Sequence, residues 1–231
     1  MKIAVINEVG EYILVSKKSM FNNCHLVANT LKTSIRIIKT ENNQKPDWDT
    51  IKSVFPIGAK MNEKTHMFDY SLFTAPSPST LACFFLAAIP LETVNTITNT
   101  GISLFKSPYK LQGLETIEHK LFRHYILQNK NDKSFMIILP QGAGFRILHI
   151  VNRLPVSGKI ISNSPDYIQV QLLQILNELK ENPEIIPQNV LVLKTFNETT
   201  QGLNIVFDFF KNNGIKATEE ILDLKDILLN S

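Results

Sequence analysis

The spacing of apolar and polar positions changes several times along the chain. Lys2 to Asn7 and Tyr12 to Ser16 are short runs rich in valine, isoleucine and leucine, separated by Glu8-Val9-Gly10. Such runs around a glycine turn predict a β-hairpin, since branched side chains suit a pleated surface and glycine tolerates turn geometry. Met20, Cys24, Val27 and Leu31 then recur at helical spacing and predict a helix, and Ser34 to Ile38 predicts a strand. From Thr40 to Ser79 the pattern weakens. Asp47 to Val54 fits a short helix, but Pro46, Pro56, Pro76 and Pro78 interrupt the rest, and 75–79 predicts an exposed connection.

Order returns at Leu81. Cys83 to Ala88 is apolar throughout, as in a strand buried on both faces, and Pro90 ends it. Leu91, Val94 and Ile97 begin a helix that Gly101 is expected to stop, with Ile102 to Phe105 as a strand. Leu114, Ile117, Leu121 and Tyr125 mark one face of a second helix. The strands Phe135 to Leu139 and Phe145 to Val151 flank Pro140-Gln141-Gly142-Ala143-Gly144, and Lys159 to Ile161 can add a third. Ser164-Pro165-Asp166 then opens the clearest helix, with a cap, a proline suited to the first turn and an acid at the positive dipole end. Its apolar stripe is Ile168, Leu172, Ile175, Leu176 and Leu179. Val190 to Leu193 is a buried-type strand. Leu203 to Phe210 is a helix closed by Asn213-Gly214, where Phe207, Phe209 and Phe210 crowd together, and a last amphipathic piece is expected from Glu219. The chain reads as mixed α/β, with hairpins preceding helices in both halves.

Composition narrows the functional classes. The 231 residues are 44% hydrophobic and 19% charged, an ordinary globular balance, and the net charge of +3 is spread without a basic stripe. Nucleic acid is therefore not an expected partner. The start lacks the long apolar core of a signal peptide, and Leu81 to Ile89 falls well short of the roughly 20 residues that span a bilayer. Cys24 and Cys83 form no disulfide framework, which suits a reducing compartment. A cytoplasmic location is the expectation.

Candidate chemistry is sparse. His25, His66, His119, His124 and His149 lack metal-ligand spacing, and structural or surface roles are expected for all five. Cys24 beside His25 does not make a thiol-base pair, since neighbouring side chains on the predicted helix diverge. Asp47 and Asp49 flank the only tryptophan, Trp48, and read as a solvated helix start. No catalytic residue, metal ligand or cofactor is expected. Gln141-Gly142-Ala143-Gly144 leaves two readings open, a plain hairpin turn or a close backbone approach to a phosphate.

The order of these elements, more than any one motif, resembles the PilM-like and GspL-like proteins of type IV pilus and type II secretion machines. The resemblance runs through Phe84-Phe85-Leu86-Ala87-Ala88-Ile89-Pro90, the helix ending in Gly101-Ile102, and Leu114 to Tyr125. It continues through Phe135 to Val151, Asp166 to Leu179, Val190 to Leu193, Gln201-Gly202-Leu203 and Gly214-Ile215. It implies a degenerate two-lobed actin-like (RNase H-like) α/β fold with a reduced insert in the first lobe. The lobes would be 1–130, with 40–80 as irregular insert or connection, and 131–231.

Active members of that class carry an aspartate-glycine pair in the first hairpin, where this chain offers Asn7 and Gly10. Their second hairpin opens on Asp-x-Gly, where this chain has Pro140-Gln141-Gly142, with Gly144 beyond, and Phe145-Arg146 replaces a hydroxyl pair. Where two glycines would admit adenosine, Lys194-Thr195-Phe196 follows the strand. Asn7, Gly10, Gln141, Gly142 and Gly144 thus stand as remnant phosphate-loop positions without the acids that hold hydrated Mg²⁺. The resemblance implies a non-enzymatic scaffold at the cytoplasmic side of a bacterial inner membrane, contacting a membrane assembly-platform protein and the motor ATPase. A homodimer would be compatible, and membrane contact would be indirect or through a further segment. The alternative is a nucleotide-dependent switch or small kinase-like enzyme of the same fold. A third alternative is an α/β protein with accidental similarity, which a structure without two repeated lobes would identify.

Overall fold

Two sheets, one near each end of the chain, follow a common plan. The computed structural model describes residues 1–16, 23–40, 47–55, 64–75, 81–105, 110–128, 133–141, 143–182, 185–194, 202–221 and 227–228. In the second half, β8 (Ser134–Gln141), β9 (Gly144–Val151) and β10 (Leu154–Ser162) form an antiparallel meander. β11 (Asn189–Lys194) and β12 (Lys216–Ile221) then add in parallel on the far side of β8, giving the order β10-β9-β8-β11-β12. The β9–β10 turn uses Asn152 and Arg153 at φ 49° and 64°, the left-handed pair that a tight two-residue hairpin requires. α4 (Pro165–Lys180) and α5 (Leu203–Asn212) connect β10 to β11 and β11 to β12.

The first half repeats this arrangement with one strand fewer among the described residues. β1 (Lys2–Ile6) pairs antiparallel with β2 (Tyr12–Ser16) and parallel with β3 (Asn23–Ala28), which pairs parallel with β7 (Lys110–Thr116). The order is β2-β1-β3-β7. Between β3 and β7 lie a second, three-stranded antiparallel sheet and a helix. β4 (Ser34–Thr40) and β5 (His66–Thr74) flank β6 (Ala82–Pro90), α1 (Trp48–Ser53) lies between β4 and β5 in sequence, and α2 (Leu91–Leu104) follows β6. α3 (Ile117–Gln128) links the two halves.

The apolar patterns explain the layers. α4 buries the five positions of its predicted stripe against the outer face of the second-half sheet, each large side chain contributing about 1.5–3 kcal/mol on full burial. α2 covers the outer face of the first sheet through Ile97, Ala4, Ile6, Leu26 and Phe105. The inner faces of both sheets meet around α3. Ile3, Val5 and Val27 join Leu121, Phe122, Phe135, Leu139 and Leu148 in one cluster. β6 is apolar at every position because both of its faces are covered. Phe85 and Ala87 enter that central cluster, while Leu86 and Ala88 meet Ile51 and Phe55 under α1.

Several expectations are corrected. The Met20–Leu31 spacing does not make a helix: 23–28 is β3, a central strand parallel to β1, and Met20 lies outside the described residues. Sheet burial of Cys24 and of Leu26 to Ala28 outweighs a coincidental helical spacing. Gly101 does not stop α2, and Ile102 to Leu104 continue the helix. The glycine lets α2 approach the sheet, since a Cβ there would lie 2.5 Å from Leu26 Cδ2. Leu114 belongs to β7, so the following helix starts at Ile117. Within 40–80, β5 is a nine-residue strand rather than irregular chain. Glu219 lies in β12, whereas Ile227 and Leu228 are helical and buried in the central cluster. Of the connection expected at 75–79, Ala75 donates its N–H to Leu81 O at 2.9 Å and the rest lies outside the described residues.

Candidate functional site: the junction between the lobes

The first hairpin turn is closed on itself. Asn7 Oδ1 accepts the backbone N–H groups of Val9 (3.1 Å) and Glu11 (2.9 Å), and Gly10 N–H donates to Asn7 O at 3.2 Å. Asn7 Nδ2 donates to Glu11 Oε2 at 2.8 Å. A phosphate needs outward-facing donors, and those of Val9, Gly10 and Glu11 are already engaged. Gly10 has φ +86° and turns toward α2, where a Cβ would meet Thr100 Oγ1 at 3.2 Å. Asparagine here builds the turn through its own side chain.

The second hairpin is packed into the first lobe. Gln141 Nε2 donates to Asn29 Oδ1 at 2.7 Å, just beyond β3. A Cβ on Gly144 would stand 2.5 Å from Ile161 O and 3.2 Å from Leu31 Cδ1, so the glycine serves close packing. Gly142 lies outside the described residues, as do Gln201 and the Thr195-Phe196 pair. Gly10 turns toward α2, while Gln141 and Gly144 contact the segment after β3, which itself reaches the first hairpin through the 2.9 Å donation of Asn29 N–H to Ile6 O.

Two charged residues that the sequence did not single out as partners meet inside this junction. Arg146, on β9, places Nε 2.9 Å from Oε1 of Glu118, in the first turn of α3, with side-chain exposures of 1% and 0%. Arg146 Nη2 also donates to the carbonyls of Thr30 (3.2 Å) and Thr33 (3.0 Å) in the turn after β3. Burial raises the Glu118 pKa against the pull of Arg146, and burial lowers the Arg146 pKa against the pull of Glu118. A buried charge of either sign is tolerable only when paired. Arg146, two residues beyond Gly144, therefore ties the second lobe to α3 and to the β3–β4 turn.

Elsewhere the histidines divide by environment. His149 is buried on β9, and its pKa is pushed down to about 4 by desolvation. Ser134 Oγ donates to Ile185 O at 2.9 Å, so the 3.0 Å contact between that hydroxyl and His149 Nε2 has the imidazole donating. His119 sits at the start of α3 beside β5, 2.6 Å from Ser71 Oγ and 3.5 Å from Asp69 Oδ2. Only the alternation Asp69-x-Ser71, once β5 is known to be a strand, hints at this grouping. His124 is buried against Tyr125. Cys24 and Cys83 are free and buried, and desolvation pushes the Cys83 thiol up to about 12. Among the described residues no group of three His, Cys, Asp or Glu side chains is placed to hold a metal ion. No helix of the described residues is long and apolar enough to cross a membrane.

A five-stranded sheet of order 3-2-1-4-5, repeated in shortened form and joined across a helix, defines an actin-like fold of two lobes, with a small three-stranded sheet inserted in the first. The solved structures it is similar to agree. One is a chain of a PilM-PilN type IV pilus biogenesis complex, with a TM-score of 0.54 and 12% identity over 87% of this chain and 70% of that one. Another is a Bacteroides thetaiotaomicron protein with an actin-like ATPase fold and unknown function, with a TM-score of 0.58 and 8% identity over 100% of this chain and 96% of that one. No protein-family model and no curated protein matches the sequence. At such identities the likeness establishes the fold.

Proposed function

We propose that this chain is a scaffold of a type IV pilus or type II secretion assembly platform, cytoplasmic and peripheral to a bacterial inner membrane. It links a membrane component to the motor ATPase through protein contacts and without nucleotide turnover. The observation that carries this reading is the junction. Just beyond its second hairpin this chain buries the Glu118–Arg146 pair, and its first hairpin consumes its own turn donors. A Mg²⁺-bound triphosphate meets no acid in the place of Asn7. The likeness to a chain of a pilus biogenesis complex supports the choice of machine.

Isothermal calorimetry against Mg·ATP and Mg·ADP at high micromolar protein tests the nucleotide half of this reading. The expected result is no saturable heat. Saturable binding would overturn it and make a nucleotide-driven switch the leading account. The scaffold half is tested by capturing the tagged chain from its own cells under mild detergent. Co-purification of a pilus or secretion platform membrane protein is expected, and its absence from a capture that retains the intact chain refutes the assignment.

A further inference from the structure

We infer that Ser71, His119 and Asp69 form an acyl-transfer site on the first lobe, with Ser71 as nucleophile toward small carboxylic esters. Asp69 and Ser71 alternate on the edge strand β5 and so project from one face, toward the first turn of α3. His119 Nε2 lies 2.6 Å from Ser71 Oγ and 3.1 Å from Arg123 Nη2, and His119 Nδ1 lies 3.5 Å from Asp69 Oδ2. These contacts fix the tautomer. A guanidinium can only donate, so Nε2 must be the unprotonated, accepting nitrogen, and Ser71 O–H points into the same lone pair. The ring proton then sits on Nδ1, facing the Asp69 carboxylate. A serine activated through histidine needs this arrangement: hydroxyl to Nε2, and Nδ1–H to an orienting acid. At 3.5 Å, Nδ1 and Oδ2 make no hydrogen bond in this structure, and both are buried without another partner among the described residues. Catalytic contacts of this kind often tighten only when substrate binds.

The surroundings hold the base and leave the nucleophile accessible. His119 is 4% exposed, its ring lies against Phe73 and Phe85 with centroids 6.0 and 5.7 Å away, and Thr116 Oγ1 accepts its backbone N–H. Ser71 is only partly buried, on the strand at the edge of its sheet. Asp69 acts through the imidazole and is a positioning residue. Arg123, four residues after His119 on the same helix face, brings a guanidinium to the His119 Nε2 that Ser71 also contacts and is a donor suited to a developing oxyanion.

Ser71 Oγ attacks the ester carbonyl carbon as its proton passes to His119 Nε2, and the carbonyl π pair moves to oxygen beside Arg123, whose N–H leaves Nε2 for that oxygen. Collapse breaks the carbon–alkoxide bond, the alkoxide takes the proton from Nε2, and an acyl-serine remains. Water then adds to the acyl carbon, giving its proton to Nε2. Expulsion of Ser71 Oγ, which recovers that proton, releases the acid. The sum is ester plus water to acid plus alcohol.

The test is labelling of the intact chain with a fluorophosphonate, located by peptide mass spectrometry, together with hydrolysis of p-nitrophenyl acetate. Covalent label at Ser71 in the wild-type chain is expected, absent from Ser71→Ala and slowed by about a hundredfold or more in His119→Gln. Asp69→Asn is expected to slow labelling while its melting temperature stays near wild type, and Asp69→Glu to recover part of the rate. Absence of label under conditions that modify a control serine hydrolase would overturn the proposal and leave a polar cluster that pins β5 to α3. Label that persists in Ser71→Ala would overturn it too. Neither result depends on nucleotide binding or on the partners of the scaffold.

Discussion

The buried pair between the lobes makes a sharp quantitative prediction. Glu118→Leu removes the carboxylate 2.9 Å from Arg146 Nε and leaves a guanidinium 1% exposed, held only by the carbonyls of Thr30 and Thr33. Coulomb's law at that distance, with an effective dielectric of about 20, gives about 6 kcal/mol of attraction. Loss of one partner from a buried pair costs about 3–5 kcal/mol in practice, because the other charge is left unpaired. Arg146→Met should cost a similar amount, since Glu118 is then stranded in an apolar setting. The double substitution removes both charges at once and should return to within about 2 kcal/mol of wild type. The coupling energy from the cycle is therefore expected to be at least about 4 kcal/mol. Urea denaturation followed by circular dichroism measures all four corners. Single variants that each lose less than about 1 kcal/mol would refute the reasoning. That outcome would mean water reaches the junction, and a wet junction is also one that could admit a ligand.

Three further outcomes follow from local geometry. Gly144→Ala should destabilise by about 2 kcal/mol or more, because its Cβ would stand 2.5 Å from a backbone carbonyl oxygen that cannot swing away; thermal melts check this, and a neutral result refutes the packing role. Gly101→Ala should cost about 1–2 kcal/mol despite the better helix propensity of alanine, and Leu26→Val in the same chain should recover part of the loss in urea titrations. His149 takes up its second ring proton only below about pH 4 when folded, whereas in the unfolded chain it does so near its ordinary value of 6.5. Stability should therefore be fully present above pH 6.5 and fall by about 3 kcal/mol as pH drops to 4. His149→Gln should flatten that slope in urea midpoints, and an unchanged slope would assign the acid sensitivity elsewhere.

Much of the fold was legible where one element's apolar pattern had a single solution. The α4 stripe from Ile168 to Leu179 and the β8–β9 hairpin lie where periodicity and turn residues put them. The misses fall where tertiary burial changed the meaning of a pattern. Cys24, Leu26, Val27 and Ala28 are apolar because β3 is covered on both faces, which periodicity alone cannot distinguish from a helix face. Gly101 looked like a stop signal because glycine marks both helix ends and close contacts. β5 was hidden because its Asp69 and Ser71 face other polar groups, which breaks the expected alternation. For the junction, the sequence carried the loss of acids at Asn7 and Pro140. It carried no sign that Glu118 and Arg146, far apart in the chain, would meet there.

That meeting bears on whether the lobes can move as a nucleotide switch requires. Opening them would separate the inner faces around α3, where Phe122, Phe135, Leu139 and Leu148 are each fully buried with Ile3 and Val27. Exposing four such side chains costs about 6–12 kcal/mol, before the ion pair is broken. A ligand shifts a conformational equilibrium only by its difference in affinity for the two states. A nucleotide bound at micromolar strength brings about 8 kcal/mol in all, comparable to the apolar cost alone, with nothing left to offset the separation of Glu118 from Arg146. The energetics thus favour lobes held in one relative position, which suits a part that presents fixed surfaces to its neighbours better than one that cycles.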